Sequence, residues 1–463
     1  MVLLGLLTLA SHQISTALPR LRVAPNGRYL ITELGEPFFY LGDTAWELFH
    51  RLDRKDADRY LKDRARKGFT VVQAVVLAEF DGLRTPNAYG HLPLLEMDPT
   101  RPAIRPGPEN DYWDHVDYIV DRAEALGLYV GMLPTWGDKW SRRWGVGPEI
   151  FTPQNAELYG AFLGARYRDK PIIWILGGDR NPENEQHLAI IRALARGLKR
   201  GDGGAHLITY HPQGGASSSR WFHREEWLDF NMFQSGHGRL LNPNHEMTLH
   251  DRSLDPPKPV IDGEPCYEDH PVNWHRGGEK RWFDEWDVRK AAYSSMLAGA
   301  AGHTYGNHNI WQFWHPGREP ISLARTPWQL ALDHPGARQM GYLRQLLTQR
   351  SFHQLEPDQS LMASDPGTGA DHARAALAQD RRYALIYLPT GKPVQVRLPK
   401  IRGRQVRAWW FNPRQGVAEH IGDFTAEGEQ EFVPPTSGRN NDWVLVLDSI
   451  EANLPALQPG SFR

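Results

Sequence analysis

Two carboxyl residues, Asp179 and Glu264, lie in segments suited to acid–base chemistry. Asp179 stands in the run 177–181, Gly-Gly-Asp-Arg-Asn, directly after the apolar segment Ile172–Leu176, and Glu264 stands in the run 262–265, Asp-Gly-Glu-Pro. The flanking glycines allow a ligand to approach the backbone closely. Hydrolysis of a glycosidic bond needs such a pair, with one carboxylic acid to protonate the leaving oxygen and one carboxylate across the anomeric carbon.

Each carboxyl also has a structural interpretation. The run 179–182, Asp-Arg-Asn-Pro, is good turn chemistry, and Glu264 could form an ion pair. Asp43, which follows an earlier apolar segment, is expected to bind a sugar hydroxyl rather than to perform chemistry. Asp262 remains a further candidate, because it and Glu264 are both even-numbered and strand alternation would direct them to one side.

Aromatic residues are unusually frequent, with 17 Trp in 463 residues. Indole faces pack against the C–H faces of sugars, although we expect half of these residues to fill the core. The predicted sugar pocket combines aromatic, imidazole and carboxyl side chains: Asp43, Trp46, Trp136, His211, His237 and Trp311. No histidine has the spacing of metal ligands, so neither a metal site nor a cofactor is predicted. The single cysteine, Cys266, is interpreted as a structural thiol.

Alternating strand and helix patterns indicate βα units in a parallel sheet. The predicted strands are 38–42, 70–77, 128–133, 172–176, 206–210, 230–234, 259–262 and 302–307. Helices are predicted at 56–67, 114–126, 186–200, 285–297 and 337–350. Eight such units indicate a (β/α)₈ TIM barrel, whose active site lies at the C-terminal ends of the strands. Asp179 and Glu264 then end strands 4 and 7, across the barrel mouth. A doubly wound sheet is the alternative, but no glycine-rich phosphate fingerprint follows the first strand.

From about residue 351 the pattern changes to short strands separated by turns, which predicts an antiparallel β-sandwich. We expect it to pack on the barrel, with Trp409 and Phe411 on one face of a strand and Trp410 on the other. The predicted organisation is an N-terminal tail or degenerate signal (1–24), the catalytic barrel (25–350), the sandwich (351–450) and a free tail (451–463).

Charge is balanced, with 53 basic and 55 acidic residues, which gives no electrostatic footprint for nucleic acid or an anionic membrane. A carbohydrate is therefore the expected partner, and the oligomeric state stays open. Residues 2–10 form an apolar run like a signal core, but no basic residue precedes Arg20. A secreted or periplasmic location is expected over a cytoplasmic one.

Three motifs together resemble the apiosidase-like hydrolases, which include glycoside hydrolase family 140. They are Tyr-Leu-Gly-Asp-Thr-Ala-Trp at 40–46, Gly-Gly-Asp-Arg-Asn at 177–181 and Asp-Gly-Glu-Pro at 262–265. The C-terminal part resembles the accompanying β domain that carries a collagen-binding label. The resemblance implies an aspartate acid/base after strand 4 and a glutamate nucleophile on strand 7, which Asp179 and Glu264 match. It also implies release of apiose-linked side-chain sugars from plant pectin.

The sequence thus predicts a retaining glycosidase of plant or microbial polysaccharides or oligosaccharides, with Asp179 as acid/base and Glu264 as nucleophile. The rival hypothesis is a non-catalytic carbohydrate-binding protein on a barrel scaffold, which needs the aromatics but not two facing carboxyls. A hydrolase of esters or amides would need a Ser-His arrangement such as Gly-x-Ser-x-Gly, which the sequence does not offer.

Overall fold

The computed structural model of the protein describes residues 17–278 and 280–459. The apolar run at 2–10 lies outside the described residues. A small antiparallel sheet comes first, formed by β1 (Leu21–Val23), β2 (Leu30–Thr32) and β3 (Pro37–Phe38). Its apolar side chains pack with residues at the starts of the barrel strands, as in the edge-on contact of Phe38 with Tyr129 at 5.0 Å. This sheet therefore closes the end of the barrel opposite the strand C-termini.

The predicted barrel is confirmed. Its strands are β4 (Tyr40–Thr44), β5 (Val71–Leu77), β6 (Tyr129–Thr135), β7 (Ile172–Leu176), β8 (Ile208–Tyr210), β10 (Asn231–Gln234), β11 (Val260–Asp262) and β12 (Gly302–Tyr305), and they pair in parallel in one sheet. The short β9 (Ala216–Ser217) pairs antiparallel with β10. At the seam between β8 and β10, the Asp229 N–H donates to the Ile208 carbonyl at 2.9 Å, and the Thr209 hydroxyl donates to the Phe230 carbonyl at 2.7 Å. These bonds close the sheet on itself.

Helices surround the barrel. They are α1 (Leu48–Arg51), α2 (Arg54–Arg66), α3 (Tyr112–Ala125), α4 (Pro153–Arg166), α5 (Glu185–Asp202), α6 (Ser219–Phe222), α7 (Asn244–Arg252), α8 (Glu285–Met296), α9 (Trp328–Ala331) and α10 (Pro335–Gln349). The five predicted helices correspond to α2, α3, α5, α8 and α10. Side-chain caps begin most of the long ones, for example Asp111 on α3 and Asn184 on α5. Strand residues alternate between the barrel interior and this helical layer.

The C-terminal domain is antiparallel, as predicted. Its strands are β13 (Leu355–Pro357), β14 (Arg374–Ala378), β15 (Tyr383–Leu388), β16 (Val394–Arg397), β17 (Gln405–Asn412), β18 (Val417–Thr425), β19 (Glu429–Phe432) and β20 (Trp443–Ser449). Six form one sheet in the order β13-β14-β15-β20-β17-β18, while β16 pairs with β19. Trp410 packs between these two sheets, whereas Trp409 and Phe411 belong to the core shared with the barrel. The predicted alternation along β17 is therefore confirmed.

Buried contacts join the C-terminal domain to the barrel. The Arg289 guanidinium on α8 donates to both oxygens of Asp442 at 2.9 and 2.7 Å. The rings of Tyr293 and Tyr387 stack with centroids 4.6 Å apart.

The segment predicted to be a free tail is instead attached over its described part. Gln345 on α10 donates to the carbonyls of Gln458 and Pro459 at 3.2 and 2.9 Å. In addition, Arg350, just beyond the end of α10, donates to the carbonyl of Pro455 at 3.0 Å. The free-tail prediction is wrong for these residues, because the attachment is formed by the Gln345 and Arg350 side chains with backbone carbonyls of the tail, and such carbonyls carry no sequence pattern.

Candidate active site

The C-terminal ends of the barrel strands surround a cavity of about 940 Å³. That volume lies at the upper end of the usual range for small-molecule sites. Six residues singled out from the sequence line this cavity: Trp46, Trp136, Asp179, His237, Glu264 and Trp311. His211 lies behind Glu264 and is fully buried. The barrel thus brings together both catalytic candidates and most of the predicted pocket.

The Glu264 carboxylate lies between two histidines. His211 Nε2 is 3.0 Å from one carboxylate oxygen, and His237 Nε2 is 3.0 Å from the other. The opposite nitrogen of each ring accepts a backbone N–H, that of Asp179 for His211 at 3.2 Å and that of Tyr267 for His237 at 3.3 Å. An Nδ1 that accepts carries no proton, so in each neutral ring the proton is on Nε2 and faces Glu264.

These imidazoles set the charge of Glu264. Burial alone would raise the pKa of this carboxyl, but the contacts of His211 and His237 with its ionised form lower the pKa to about 2. Glu264 is therefore a carboxylate at neutral pH. Its approach to the cavity requires Gly263, where a Cβ would lie 2.4 Å from the Met232 sulfur.

Asp179 occupies a left-handed turn after β7. Gly177, Gly178 and Asp179 have φ values of 96°, 75° and 58°. A non-glycine residue in this region costs about 1–3 kcal/mol, a strain that often marks functional sites. The turn is held in place from outside, since Trp140 Nε1 donates to the Gly177 carbonyl at 2.9 Å and the Gly137 N–H donates to the Gly178 carbonyl at 2.9 Å.

Asp179 has the opposite protonation tendency to Glu264. Burial, followed by the negative charge of Glu264, raises the pKa of Asp179 to about 7. Arg180 and His211 oppose this shift, and the Arg180 guanidinium lies 3.5 Å from the Asp179 carboxylate. One cavity thus holds a carboxyl that keeps its proton near neutral pH and another that is ionised. Such divergence separates a proton donor from a nucleophile.

Aromatic side chains form the wall beside the two carboxyls. Trp46 Nε1 donates to the Tyr267 hydroxyl at 2.9 Å, and the Trp46 and Trp136 rings are 5.4 Å apart. On the other side, Trp311 Nε1 donates to His308 at 3.2 Å. These bonds hold indole faces in fixed positions at the cavity, where they can pack against a sugar ring.

Two expectations about carboxyls are wrong. Asp43 is fully buried in the helical layer, where Tyr60 and Arg64 each donate to its carboxylate at 2.6 Å. Asp262 also faces outward and accepts from Ser235 at 2.8 Å and from Asn244 on α7 at 2.9 Å. Strand alternation explains both positions, and Glu264 reaches the cavity because β11 ends at Asp262 and the chain then turns over the barrel rim.

The cavity residues that were not singled out from the sequence include Glu79, Gln234 and Tyr267. Gln234 is a polar neighbour of Asp179 and lowers its pKa, and the Tyr267 hydroxyl is a polar neighbour of Glu264. Glu79 and Gln234 lie at the C-terminal ends of β5 and β10. A position at the end of a barrel strand also identified Asp179, so the same criterion would have found them.

Within the described ranges, no three His, Cys, Asp or Glu side chains converge in a way that could hold a metal ion. No helix of the described part is long and apolar enough to span a membrane. Cys266 is buried, and burial raises the pKa of its thiol.

A barrel mouth that holds two carboxyls of opposite protonation tendency is typical of glycosidases, and the relatives show this class. Residues 24–354 match the family model described as "Apiosidase-like, catalytic domain". Residues 357–448 match "Putative collagen-binding domain of a collagenase". The chain belongs to the apiosidase-like family, as its motifs indicated, and is a glycosidase.

Solved structures extend this comparison. A glycoside hydrolase is 37% identical, with a TM-score of 0.87 over 94% of this chain and 97% of the other. A glycoside hydrolase family 5 protein from Bacteroides vulgatus ATCC 8482 is 36% identical, with a TM-score of 0.87 over 94% of this chain and 95% of the other. No curated protein matches the chain.

Proposed function

We propose that the protein hydrolyses a glycosidic bond with retention of configuration, with Glu264 as nucleophile and Asp179 as acid/base. The observation that carries the proposal is the opposite protonation of two carboxyls in one cavity. Two imidazole N–H groups favour ionised Glu264, while burial and the charge of Glu264 keep a proton on Asp179.

The retaining assignment rests on the family resemblance, which implies an aspartate acid/base after strand 4 and a glutamate nucleophile on strand 7, and in the structure these two residues are connected by His211. Its Nδ1 accepts the Asp179 N–H at 3.2 Å and its Nε2 lies 3.0 Å from Glu264, so one imidazole ring spans the gap between the Asp179 backbone and the Glu264 carboxylate. Retaining enzymes place their carboxyls ~5–5.5 Å apart, whereas inverting enzymes need ~6.5–9.5 Å to admit a water.

The reaction then has two displacements. A Glu264 oxygen bonds to the anomeric carbon while the glycosidic C–O bond breaks and the Asp179 proton passes to the leaving oxygen. In the second step Asp179, now a carboxylate, takes a proton from water. The water oxygen bonds to the anomeric carbon and the Glu264 ester bond breaks, which restores both groups.

For the substrate, the family points to an apioside in a plant cell-wall polysaccharide such as pectin. A cavity of about 940 Å³ with several indole faces has room for more than one sugar unit. Chromatography of sugars released from plant and bacterial polysaccharides tests this assignment. Release of side-chain sugars with apiose at the reducing end is expected, and release of sugars without apiose would contradict the apioside proposal while leaving the mechanism intact.

The mechanism is tested with Asp179→Asn and Glu264→Gln. Loss of the proton donor should reduce kcat by roughly 10²–10⁴-fold, and by less for aryl glycosides whose leaving groups need little protonation. Glu264→Gln should abolish turnover of every substrate while calorimetry still detects sugar binding. The matched control is Glu246→Gln, because that side chain is 72% exposed.

Product stereochemistry separates the two mechanisms. Proton NMR of the first-formed sugar should show the anomer of the substrate. The inverted anomer would contradict Glu264 as nucleophile, and near wild-type turnover by Glu264→Gln would remove it from the reaction altogether.

A further inference from the structure

Glu79 is a third carboxyl in the cavity. It follows β5 closely and lines the cavity together with Asp179 and Glu264. Its backbone carbonyl accepts the Asp81 N–H at 2.9 Å and lies 3.5 Å from Lys139 Nζ. By contrast, its carboxyl oxygens have no hydrogen-bond or ion-pair partner among the described residues. A partly buried polar group without a protein partner is poised for a ligand.

The cations near Glu79 are already occupied. Lys139 Nζ donates to the Ala78 carbonyl at 2.6 Å and to Asp138 at 2.7 Å. The Arg180 guanidinium donates to the carbonyls of Ser141, Asp179 and Trp144. Arg51 donates to the Gln312 carbonyl at 2.7 Å. None of these cations forms a salt bridge with Glu79.

Three other carboxyl groups surround Glu79 and disfavour its ionised form. Asp179 faces it from the turn after β7, Glu47 from the residue before α1, and Asp138 from the loop after β6. Burial and then the charges of these three groups raise the pKa of Glu79 well above its usual range, and Arg180 opposes the shift. The balance of charge around Glu79 therefore favours its protonated form.

The chain next to Glu79 is anchored. Phe80 packs against Trp311 with ring centroids 5.4 Å apart, and the Arg51 guanidinium lies 4.6 Å from the Phe80 ring. The backbone that carries Glu79 is thus held in place before a ligand arrives, which reduces the entropy lost on binding.

We propose that Glu79 stays a neutral carboxylic acid in the working enzyme and that its O–H donates a hydrogen bond to a hydroxyl oxygen of a neutral sugar in the substrate. This inference rests on the proposed function, because it adds a specificity-determining contact to the same cavity. Glu79 binds and orients the substrate, whereas Asp179 and Glu264 break the bond. The cations nearest Glu79 among the described residues are already paired, and a sugar carboxylate at this position would meet the Asp179 carboxyl, which favours a neutral sugar here. Arg239 and Arg276 also line the cavity, but neither is among the main charges that act on Glu79.

The test compares Glu79→Gln with Glu79→Leu. The amide of Gln donates as the neutral acid does, so kcat/KM should stay within about threefold of wild type. Leu keeps the volume without a donor, and loss of one hydrogen bond to substrate should lower kcat/KM by roughly 5–150-fold, mostly through KM. The probes are 4-nitrophenyl glycosides of neutral pentoses and hexoses, together with pectin.

The dependence of kcat/KM on pH provides a second measurement, which a purely structural role of Glu79 would not affect. Replacing a neutral group leaves the charge near Asp179 unchanged, so the alkaline limb of kcat/KM should stay in place in both variants. If Glu79 were ionised, Glu79→Gln would remove a negative charge, lower the pKa of Asp179 and move that limb to lower pH. Such a shift would overturn the proposal, as would equal losses for Gln and Leu or no loss for Leu.

A binding measurement separates this inference from the proposed mechanism. In a Glu264→Gln background, calorimetry with a glycoside that the wild type cleaves should show a Kd unchanged by Glu79→Gln and weakened by Glu79→Leu. That result would stand even if Asp179→Asn and Glu264→Gln contradicted the catalytic roles. Thermal melting of each variant confirms folding, and failure of the wild type to cleave or bind any probe would overturn both proposals.

Discussion

At the residue scale, Glu264 depends on donors that the sequence separates widely. His211 and His237 end different strands, and each has its tautomer set by a backbone N–H of a neighbouring loop. The pair therefore does more than bind sugar hydroxyls, as the sequence suggested for each histidine alone. Together they keep the Glu264 carboxyl ionised although it is buried.

The pH dependence of kcat/KM follows from these contacts. Asp179 acts in its protonated form, so activity should be present below its pKa of about 7 and be lost as pH rises through it. Glu264 acts ionised, so activity should fall only toward its pKa of about 2. His237→Phe removes one donor and should move the acidic limb upward by roughly one to two pH units. His420→Phe, on an exposed strand, is the control, and an unmoved acidic limb would contradict the role of His237.

The sequence located Asp179 and Glu264 because each follows an apolar strand and has glycine neighbours. It misplaced Asp43, which alternation within β4 directs into the helical layer, and Asp262, because counting residues cannot show that β11 ends there and that alternation stops before Glu264. Glu79 was passed over because a single Glu after a strand resembles any surface Glu. Only its unpartnered position beside three other carboxyls distinguishes it.

At the element scale, α4 and α5 pack with their backbones in close approach. A Cβ on Gly160 or Gly164 would lie 2.6 or 2.4 Å from α5 backbone oxygens, and one on Gly197 or Gly201 would lie 2.2 or 2.3 Å from those of α4. Helix α4 was not predicted from the sequence for this reason. Glycines replace large apolar residues on its contact face, so the usual amphipathic stripe is weak.

Gly197→Ala should therefore destabilise the protein, although alanine favours a helix by about 1 kcal/mol. The added methyl group would overlap the backbone carbonyl of Glu157, which the packed helix α4 holds in place. We therefore expect the free energy of unfolding to fall by about 1–3 kcal/mol. Urea unfolding gives the free energy of unfolding. Gly238→Ala, where no atom lies within 4 Å of the added Cβ, is the control. A stabilised Gly197→Ala variant would show that the two helices separate easily.

At the scale of the whole molecule, the inner strands β14, β15 and β20 of the six-stranded sheet are buried on both faces. Tyr387 and Phe411 face the barrel, whereas Trp410 and Leu445 face β16 and β19. The alternation of apolar residues in β17 predicted two buried faces, but it could not show which helices cover the face that contains Phe411. Arg289 and Asp442, 153 residues apart, provide that contact.

The final prediction tests this interface through its buried ion pair. Arg289 and Asp442 are both fully buried, and Arg289 also donates to Gln339 at 2.7 Å and to Asn440 at 2.6 Å. Asp442→Ala leaves a buried guanidinium without its counter-charge, which should cost about 3–5 kcal/mol of unfolding free energy. The double change Arg289→Met with Asp442→Leu leaves no buried charge and should cost much less.

Asp423→Ala is the matched control, because it breaks an ion pair with Arg407 that is open to solvent. The Arg407 side chain on β17 is 42% exposed, and that of Asp423 on β18 is 34% exposed. Its effect should stay within about 1 kcal/mol. Turnover at temperatures where each variant is folded should match wild type, since Arg289 lies on α8, Asp442 lies just before β20, and neither residue lines the cavity. Equal losses for Asp442→Ala and the double variant would show that the interface depends on shape rather than on charge. A parallel loss of kcat would instead mean that the C-terminal domain shapes the active site.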